Sequence, residues 1–478
     1  MKTAIKDIVF VNAPRHDAAY VIRICAVAAL GGILFGYDTS VIAGAITPLQ
    51  NFFHLSPAQT GWAVSNVVIG CIIGALLSGW LADRWGRRMT LFVCAILFSA
   101  QSIGTAIAPS FSFFVIFRIL GGIAVGAASM VSPMYMSEVS PKDMRGRALS
   151  MEQFAIVFGQ VIVFIVNYMI AANATPYWLN HMGWRWMFAS EIVPCIIFCL
   201  TVFTIPESPR WHALKGRDDL ALKTLSRISN AQHARNLMAE IKESFTSVED
   251  RASFRFSTVL KDRRAMWIIF VASMIAALQQ FTGINVMMYY APMVLHGVGG
   301  SMQSALFQTV WIGVALLLGS IVGAWLIDFK GRRFLLKYGA LCMVASLILV
   351  SMALYHQTQG YGALAGMMLF MFTFGCSWGP ITWVLVSEVF PNRFRSIGMS
   401  IAVASNWIGN FFVSQFFPMV NENKYLTEHF HGAFSMWLFA ILGLLSTWFV
   451  LRFVPETRGV SLEKIEDTML QVAPASVR

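Results

Sequence analysis

Charge is scarce in this chain: Asp, Glu, Lys and Arg together supply 12% of its 478 residues, while 57% are hydrophobic. So thin a polar complement cannot coat a soluble fold of this length, and a mean hydropathy of +0.64 points the same way. Cysteine spacing is equally uninformative for chemistry. None of the seven cysteines (Cys25, Cys71, Cys94, Cys195, Cys199, Cys342, Cys376) forms a Cys-x-x-Cys motif, and all fall in apolar runs, where they read as small buried hydrophobes. His, Cys and carboxylate side chains nowhere take metal-ligand spacing, and there is no nucleophile–base pair, phosphate-cradling loop or cofactor motif. These absences lead away from an enzyme, a metal centre and a bound cofactor.

What the chain has instead is apolar length. Runs of roughly 20 apolar residues recur about twelve times, six before and six after a polar stretch from Glu207 to Arg264. The expected spans are 20–45, 60–82, 89–108, 112–136, 148–172, 186–205, 265–293, 303–327, 334–354, 361–388, 396–420 and 432–454. This pattern predicts an all-α integral membrane protein with twelve transmembrane helices. It divides into a first half (1–205), a linker (206–264), a second half (265–455) and a tail (456–478). In the linker, Leu237, Ile241 and Phe245 recur at four-residue spacing, which predicts short amphipathic cytoplasmic helices bracing the halves. The polar residues through Asp17 carry no cleavable-signal pattern, so the first span is expected to target the chain, and the short tails leave no room for a further domain. Trp178, Trp184 and Trp186 read as interface anchors, and Asn173-Ala-Thr175 is a formal glycosylation sequon in an outside loop.

A net charge of +11 would ordinarily raise nucleic acid as a partner. Its distribution argues for topology instead. With a cytoplasmic N-terminus, 32 of the 35 Lys and Arg residues fall in cytoplasmic loops and tails or, for Arg23, Lys337 and Arg452, at the cytoplasmic ends of spans; Arg185 and Lys424 land outside, and Arg118 lies deeper within a span. Such an asymmetry is the positive-inside pattern, and it predicts both termini in the cytoplasm.

The basic loops also repeat. Asp83-Arg84-Trp85-Gly86-Arg87-Arg88 is answered by Asp328-Phe329-Lys330-Gly331-Arg332-Arg333, and Glu138 with Arg145 by Glu388 with Arg395, 250 residues further on. Pro206-Glu207-Ser208-Pro209-Arg210 closes the first half as Pro455-Glu456-Thr457-Arg458 closes the second. Three pairs in one order mark a duplicated membrane unit, the way many secondary transporters build two halves around a central site. A carboxylate at a helix end, a glycine for a tight turn and two arginines suit a charge lock on the cytoplasmic side. In that lock Glu138 is expected to meet Arg145, and Glu388 to meet Arg395. Glu207, Arg210 and Glu456 belong to the same gate set.

Two ionisable residues sit deep within the spans, Asp38 on the first and Arg118 on the fourth. Each lies about 10 Å from the expected outer end at roughly 1.5 Å per residue, so they can meet at one depth. A lone charge there costs several kcal/mol, which makes mutual pairing the cheapest arrangement. Such a carboxylate can accept a proton when the pair separates; alternatively the pair is a static brace.

Uncharged hydrogen-bonding groups and indoles collect at middle depth: Gln160, Gln279, Gln280, Asn285, Trp383, Asn406 and Trp407. Amides donate and accept together, matching neighbouring hydroxyls, and indole faces stack on the C–H side of a sugar ring. The set reads as a polyol site. Gly283 and Gly379-Pro380 are expected to interrupt the seventh and tenth helices beside it.

From Gly31-Gly-Ile-Leu-Phe-Gly-Tyr-Asp38 to Pro455-Glu-Thr-Arg-Gly459, the chain resembles the sugar porter family of the major facilitator superfamily. Arg118-Ile-Leu-Gly-Gly, Pro206-Glu-Ser-Pro-Arg210 and Gln279-Gln-Phe-Thr-Gly-Ile-Asn285 carry the resemblance. Gln153-Phe-Ala-Ile-Val-Phe-Gly-Gln160 and Ser377-Trp-Gly-Pro-Ile-Thr-Trp383 bring it nearest to the bacterial pentose/proton symporters within that family. The resemblance implies a major facilitator fold in a bacterial inner membrane, acting as a monomer. It also implies that Gln160, Gln279, Gln280, Asn285, Trp383 and Trp407 contact sugar and that Asp38 with Arg118 couples protons. Passive glucose carriers of the family usually have Asn where Asp38 stands, so the aspartate favours a symporter. Asn406 departs from the Gln of the pentose symporters toward the hexose-carrier form, which leaves the sugar a pentose or a hexose.

Three functions therefore compete: proton-coupled sugar uptake, passive uniport with Asp38–Arg118 as a brace, and a sugar receptor without transport.

Overall fold

The computed structural model describes residues 17–141, 143–251, 259, 262–297, 301–358, 361–391, 394–457 and 469. Within these, twelve helical spans are long and apolar enough to cross a membrane. They are α1 (Ala18–Phe53), α2 (Pro57–Trp85), α3 (Arg87–Ala106), α4 (Phe111–Val139), α5 (Arg145–Ala171) and α6 (Pro176–Thr204). The second set comprises α7 (Arg263–Tyr289), α8 (Met302–Lys330), α9 (Arg332–Tyr355), α10 (Gly362–Val389), α11 (Arg395–Asn421) and α12 (Ala433–Phe453). An even number of crossings puts Asp17 and Phe453 on one face, called here the terminal face; the opposite one is the distal face.

Two ends differ from the hydropathy reading. α1 runs on to Phe53 rather than stopping at 45, and α6 starts at Pro176, ten residues before the expected 186, through a π-helical turn at Leu179–Gly183. The added turns carry Gln50, Asn51, Asn180 and His181, polar groups that a hydropathy window ends on although the helix does not. Trp184 sits in this extension and is fully buried against Phe52, Phe53 and Phe114, so it is a core residue and not an interface anchor; Trp178 and Trp186 are exposed. Of the cysteines, Cys342 is exposed and Cys199 half-buried, which corrects the expectation that all seven are buried.

Small residues set the helix spacing. A Cβ on Gly70 would stand 2.1 Å from the Ile119 carbonyl oxygen, and one on Gly122 would stand 2.1 Å from that of Val67, so α2 and α4 touch backbone to backbone. Gly319 repeats this in the second half, where a Cβ would lie 2.2 Å from the Phe372 carbonyl oxygen of α10. In lipid, where apolar surface gains little by leaving the solvent, such close approach supplies the packing attraction that joins helices.

Between α6 and α7 lie three shorter helices, Pro209–Leu214, Asp218–Ile228 and Ala231–Arg251, clustered on Ala221, Leu225, Ala234 and Met238. Leu237 and Ile241 pack on that cluster as their spacing predicts; the Phe245 side chain lies outside the described residues. The described contacts tie these helices to α1 and α4 of the first half, including a hydrogen bond from the Asp17 amide to the Ile228 carbonyl at 3.1 Å.

Hydrogen bonds also join the two halves, and they gather at the distal face. Ser65 Oγ donates to Gln415 Oε1 at 2.8 Å, Gln50 Nε2 to Glu422 Oε2 at 2.9 Å, and Gln303 Nε2 to the Ala172 carbonyl at 2.7 Å.

Candidate functional site

The centre of the bundle is built where two helices break. α7 loses its ladder at Gly283, whose φ of +92° is open to glycine and strained for other residues, and resumes at Ile284. α10 breaks at Ser377, where φ is −131° and ψ −93°, and resumes at Trp378. The expected break at Gly379-Pro380 is therefore two residues late. Pro380 instead occupies the first turn of the resumed helix, where its missing N–H costs no ladder bond.

The amides fill this gap as one connected set. Gln280 Nε2 donates to Asn406 Oδ1 at 3.0 Å, Asn406 Nδ2 to Gln279 Oε1 at 2.8 Å, and Asn285 Nδ2 to Gln280 Oε1 at 2.5 Å. Gln279 Nε2 then reaches the carbonyl of Trp378, the first residue of the resumed α10, at 2.8 Å. Four of the expected residues are thus brought together on α7 and α11, each less than a tenth exposed. Across the interface, Gln160 on α5 lies 3.9 Å from the Met288 sulfur, and its Oε1 is buried without a hydrogen-bond partner. Trp383 and Trp407 are half-buried, the latter 6.3 Å from the Phe35 ring of the first half. The arrangement offers alternating donors and acceptors beside two indole faces. A cavity of about 640 Å³ lies elsewhere, at the distal face among Thr47, Gln50, Met293, His296 and Glu422.

Beside this set Arg118 and Asp38 pair with no exposure at all, Nη1 to Oδ1 at 2.9 Å. Asp38 is 20 residues from the terminal-face end of α1 and Arg118 is 21 from that of α4, about 30 Å along either helix. They meet at one depth although their distances to the distal ends differ, because α1 overruns. The sequence reading of two intramembrane charges was incomplete. Glu191, within α6, and Glu152, on α5, are buried with all four carboxylate oxygens lacking hydrogen-bond partners. Both fall inside expected spans, so their signal was an acid in an apolar run. Glu191 lies close enough to Asp38 and Arg118 to feel both charges.

At the terminal face the duplicated motifs form duplicated locks. Arg87 Nη2 donates to Glu138 Oε1 at 3.0 Å, and Arg332 Nη2 to Glu388 Oε1 at 2.8 Å. The other oxygen of each acid is taken by a hydroxyl, Ser208 on Glu138 at 2.5 Å and Thr457 on Glu388 at 2.7 Å. Glu207 Oε1 accepts from the Arg87 amide at 2.9 Å and its Oε2 from the Arg88 amide at 3.1 Å; Glu456 does the same for Arg332 at 3.0 Å and Arg333 at 3.1 Å. These amides open α3 and α9, so a carboxylate sits on each helix N-terminus, where unpaired N–H groups and the helix dipole favour an anion. Burial pushes the Glu207 carboxyl up from its usual range, and the Ser208, Arg88 and Arg87 amides pull it part of the way back.

The expected partners of Arg145 and Arg395 are corrected. Arg145 Nε donates to the Ser137 carbonyl at 3.2 Å and Arg395 Nε to the Phe390 carbonyl at 3.1 Å, while the acids go to Arg87 and Arg332. The latter arginines start the helix immediately after the glycine turn, which aims them at the acid across the lock. Asp83 is more than half exposed and pairs with Arg87 Nη1 at 3.2 Å; Arg210 is exposed, and the Asp328 side chain lies outside the described residues.

This geometry has close relatives. A family model described as "Sugar (and other) transporter" matches residues 24–469. The D-xylose-proton symporter of Escherichia coli (strain K12) is 40% identical over 479 residues, spanning 95% of this chain and 96% of that protein. The glucose facilitated diffusion protein of Zymomonas mobilis subsp. mobilis is 36% identical over 466 residues, 94% of this chain and 97% of that one. A structure of the E. coli xylose transporter in a partially occluded inward-open conformation superposes with a TM-score of 0.82 at 39% identity, covering 93% of this chain and 100% of that one. On these matches and on its two six-helix sets, the chain belongs to the sugar (and other) transporter family, with the major facilitator fold.

Proposed function

We propose that this protein imports a monosaccharide, a pentose or a hexose, together with a proton across a bacterial inner membrane, with both termini in the cytoplasm. The observation that carries the reading is the fully buried Asp38–Arg118 pair beside a connected amide site. A carboxylate whose only described side-chain partner is one guanidinium loses its counter-charge when helices rearrange, and a proton is the cheapest replacement. The sugar would bind the Gln279, Gln280, Asn285 and Asn406 amides from the second half and Gln160 from the first. Closing on it draws the halves together, and the locks keep each half rigid while they rock. One proton moving down ~100 mV supplies about 2.3 kcal/mol, enough for roughly 50-fold accumulation of a neutral sugar. Each chain holds a complete site, so a monomer suffices.

The symport named for the E. coli relative supports this reading, and the facilitated diffusion named for the Zymomonas relative supports the second one, uniport. The two separate in liposomes holding a trapped pH dye, given xylose, glucose, galactose and arabinose in turn. Lumen acidification that follows one sugar is the symport result. Entry of radiolabelled sugar with no acidification is the uniport result and would refute the proposal.

A further inference from the structure

Glu152 is the buried acid that the coupling pair does not use. It stands seven residues into α5, about 10 Å from that helix's terminal-face end, and is 7% exposed. Its carboxyl packs on α1 at Gly32: a Cβ there would stand 3.0 Å from both Cδ and Oε1, a contact tight enough that the carboxyl would have to give way. Gly32 precedes Asp38 by six residues, about 9 Å along α1 toward the terminal face. Glu152 therefore occupies the stretch between the coupling pair and the terminal face, on the helix pair that also frames Gln160.

Neither oxygen of Glu152 has a hydrogen-bond partner. The helices packed on α5 carry Tyr20, Arg23, Cys25, Tyr37 and Asp38 on α1, Arg118, Tyr135 and Glu138 on α4, His181, Arg185, Glu191, Cys195 and Cys199 on α6, and Lys330 on α8, and α5 itself carries Arg145, Arg147 and Tyr168. Among the described residues none of these forms an ion pair or hydrogen bond with it. A carboxyl in a bilayer with neither cation nor donor exists as an anion only when water reaches it. α1 and α5 meet at this carboxyl, so any tilt between them that admits water from the terminal face changes whether it holds a proton.

We infer that Glu152 is a second proton-binding site, which receives the proton leaving Asp38 and releases it to the terminal face. The inference rests on the proton-coupled reading. In the step the Asp38 O–H bond breaks, the proton passes through intervening water toward the terminal face, and an O–H bond forms on Glu152; a second water then takes it to bulk as the carboxylate is restored.

The test uses the reconstituted full chain and the variants Glu152→Gln and Glu152→Asp, with sugar counterflow as the measure of intact folding and binding. Counterflow carries no net proton and is expected to persist in both variants. Sugar-driven acidification in Glu152→Gln falls by roughly a hundredfold or more, the scale of a lost proton-transfer group, while Glu152→Asp recovers part of it. The wild-type dependence of uptake on lumen pH flattens in Glu152→Gln. Infrared difference spectra of the purified protein, taken on stepping the pH, show a protonated-carboxyl C=O band that Glu152→Gln removes. Unchanged acidification, lumen-pH profile and infrared band in Glu152→Gln would overturn the inference and leave proton symport standing. No acidification in the wild type would instead refute symport, and this inference with it.

Discussion

Arg118 holds Asp38 with a single nitrogen. Nη1 reaches Oδ1 at 2.9 Å and the Asp38 carbonyl at 3.2 Å, and Oδ2, Nε and Nη2 remain without hydrogen-bond partners. A bidentate clasp would have been the stronger brace. One bond and a Phe188 ring face at 5.5 Å from the guanidinium hold the arginine while leaving the carboxylate separable. Arg118→Lys keeps the charge and loses that geometry; it is expected to slow sugar-driven proton uptake at least tenfold while preserving sugar binding, measured as acidification rate against ligand-induced tryptophan quenching.

The glycine turns of the locks are predicted to be intolerant. Gly86 has φ +96° and a Cβ there would lie 2.2 Å from Glu207 Oε2; Gly331 has φ +82° and a clash at 2.7 Å with Glu456 Oε2. Gly86→Ala and Gly331→Ala should each lower stability by about 1–3 kcal/mol, read as a fall in Tm in detergent. Gly79, helical and open around its Cβ position, is the control: Gly79→Ala leaves Tm unchanged or raises it slightly.

Glu207 gives a pH signature. Its proton affinity is raised in the folded state, chiefly by burial. A raised folded value means that its contribution is fullest below the ordinary Glu range and diminishes as pH rises through the raised value. The Tm advantage of wild type over Glu207→Gln should therefore be largest at acid pH and shrink toward neutrality. An advantage that grows with pH would show the backbone amides outweighing burial.

Asn406 joins Gln279 to Gln280, so Asn406→Ala strands one acceptor and one donor together. Sugar affinity is expected to fall by about 1–3 kcal/mol, roughly tenfold to a hundredfold, and Tm to fall as well, because the stranded amide groups stay buried. Asn406→Gln, which lengthens the amide, should alter the preference between pentose and hexose more than it alters total affinity, as measured by competition binding.

Much of this was legible because a membrane penalises polarity. Twelve apolar runs could be counted, Asp38 and Arg118 stood out as charges in them, and the repeat located both locks by residue number. What escaped followed from the same rule. A hydropathy window stops at Gln50 and Asn51 although α1 continues, and it averages Glu152 and Glu191 into their apolar surroundings. Partners across space were legible only where sequence left one choice. Glu138 could reach either Arg87 or Arg145, and the aim of the first residue after a positive-φ glycine decided for Arg87. The α10 break at Ser377 had no proline or glycine of its own to announce it; Pro380 marked the restart instead.

The most direct test is accumulation of radiolabelled sugar in proteoliposomes carrying an inward proton gradient, comparing wild type with Asp38→Asn. The account predicts that wild type concentrates sugar severalfold or more and collapses to equilibrium with a protonophore, and that Asp38→Asn exchanges sugar freely yet never exceeds equilibrium. Accumulation by Asp38→Asn, or mere equilibration by wild type, would contradict it.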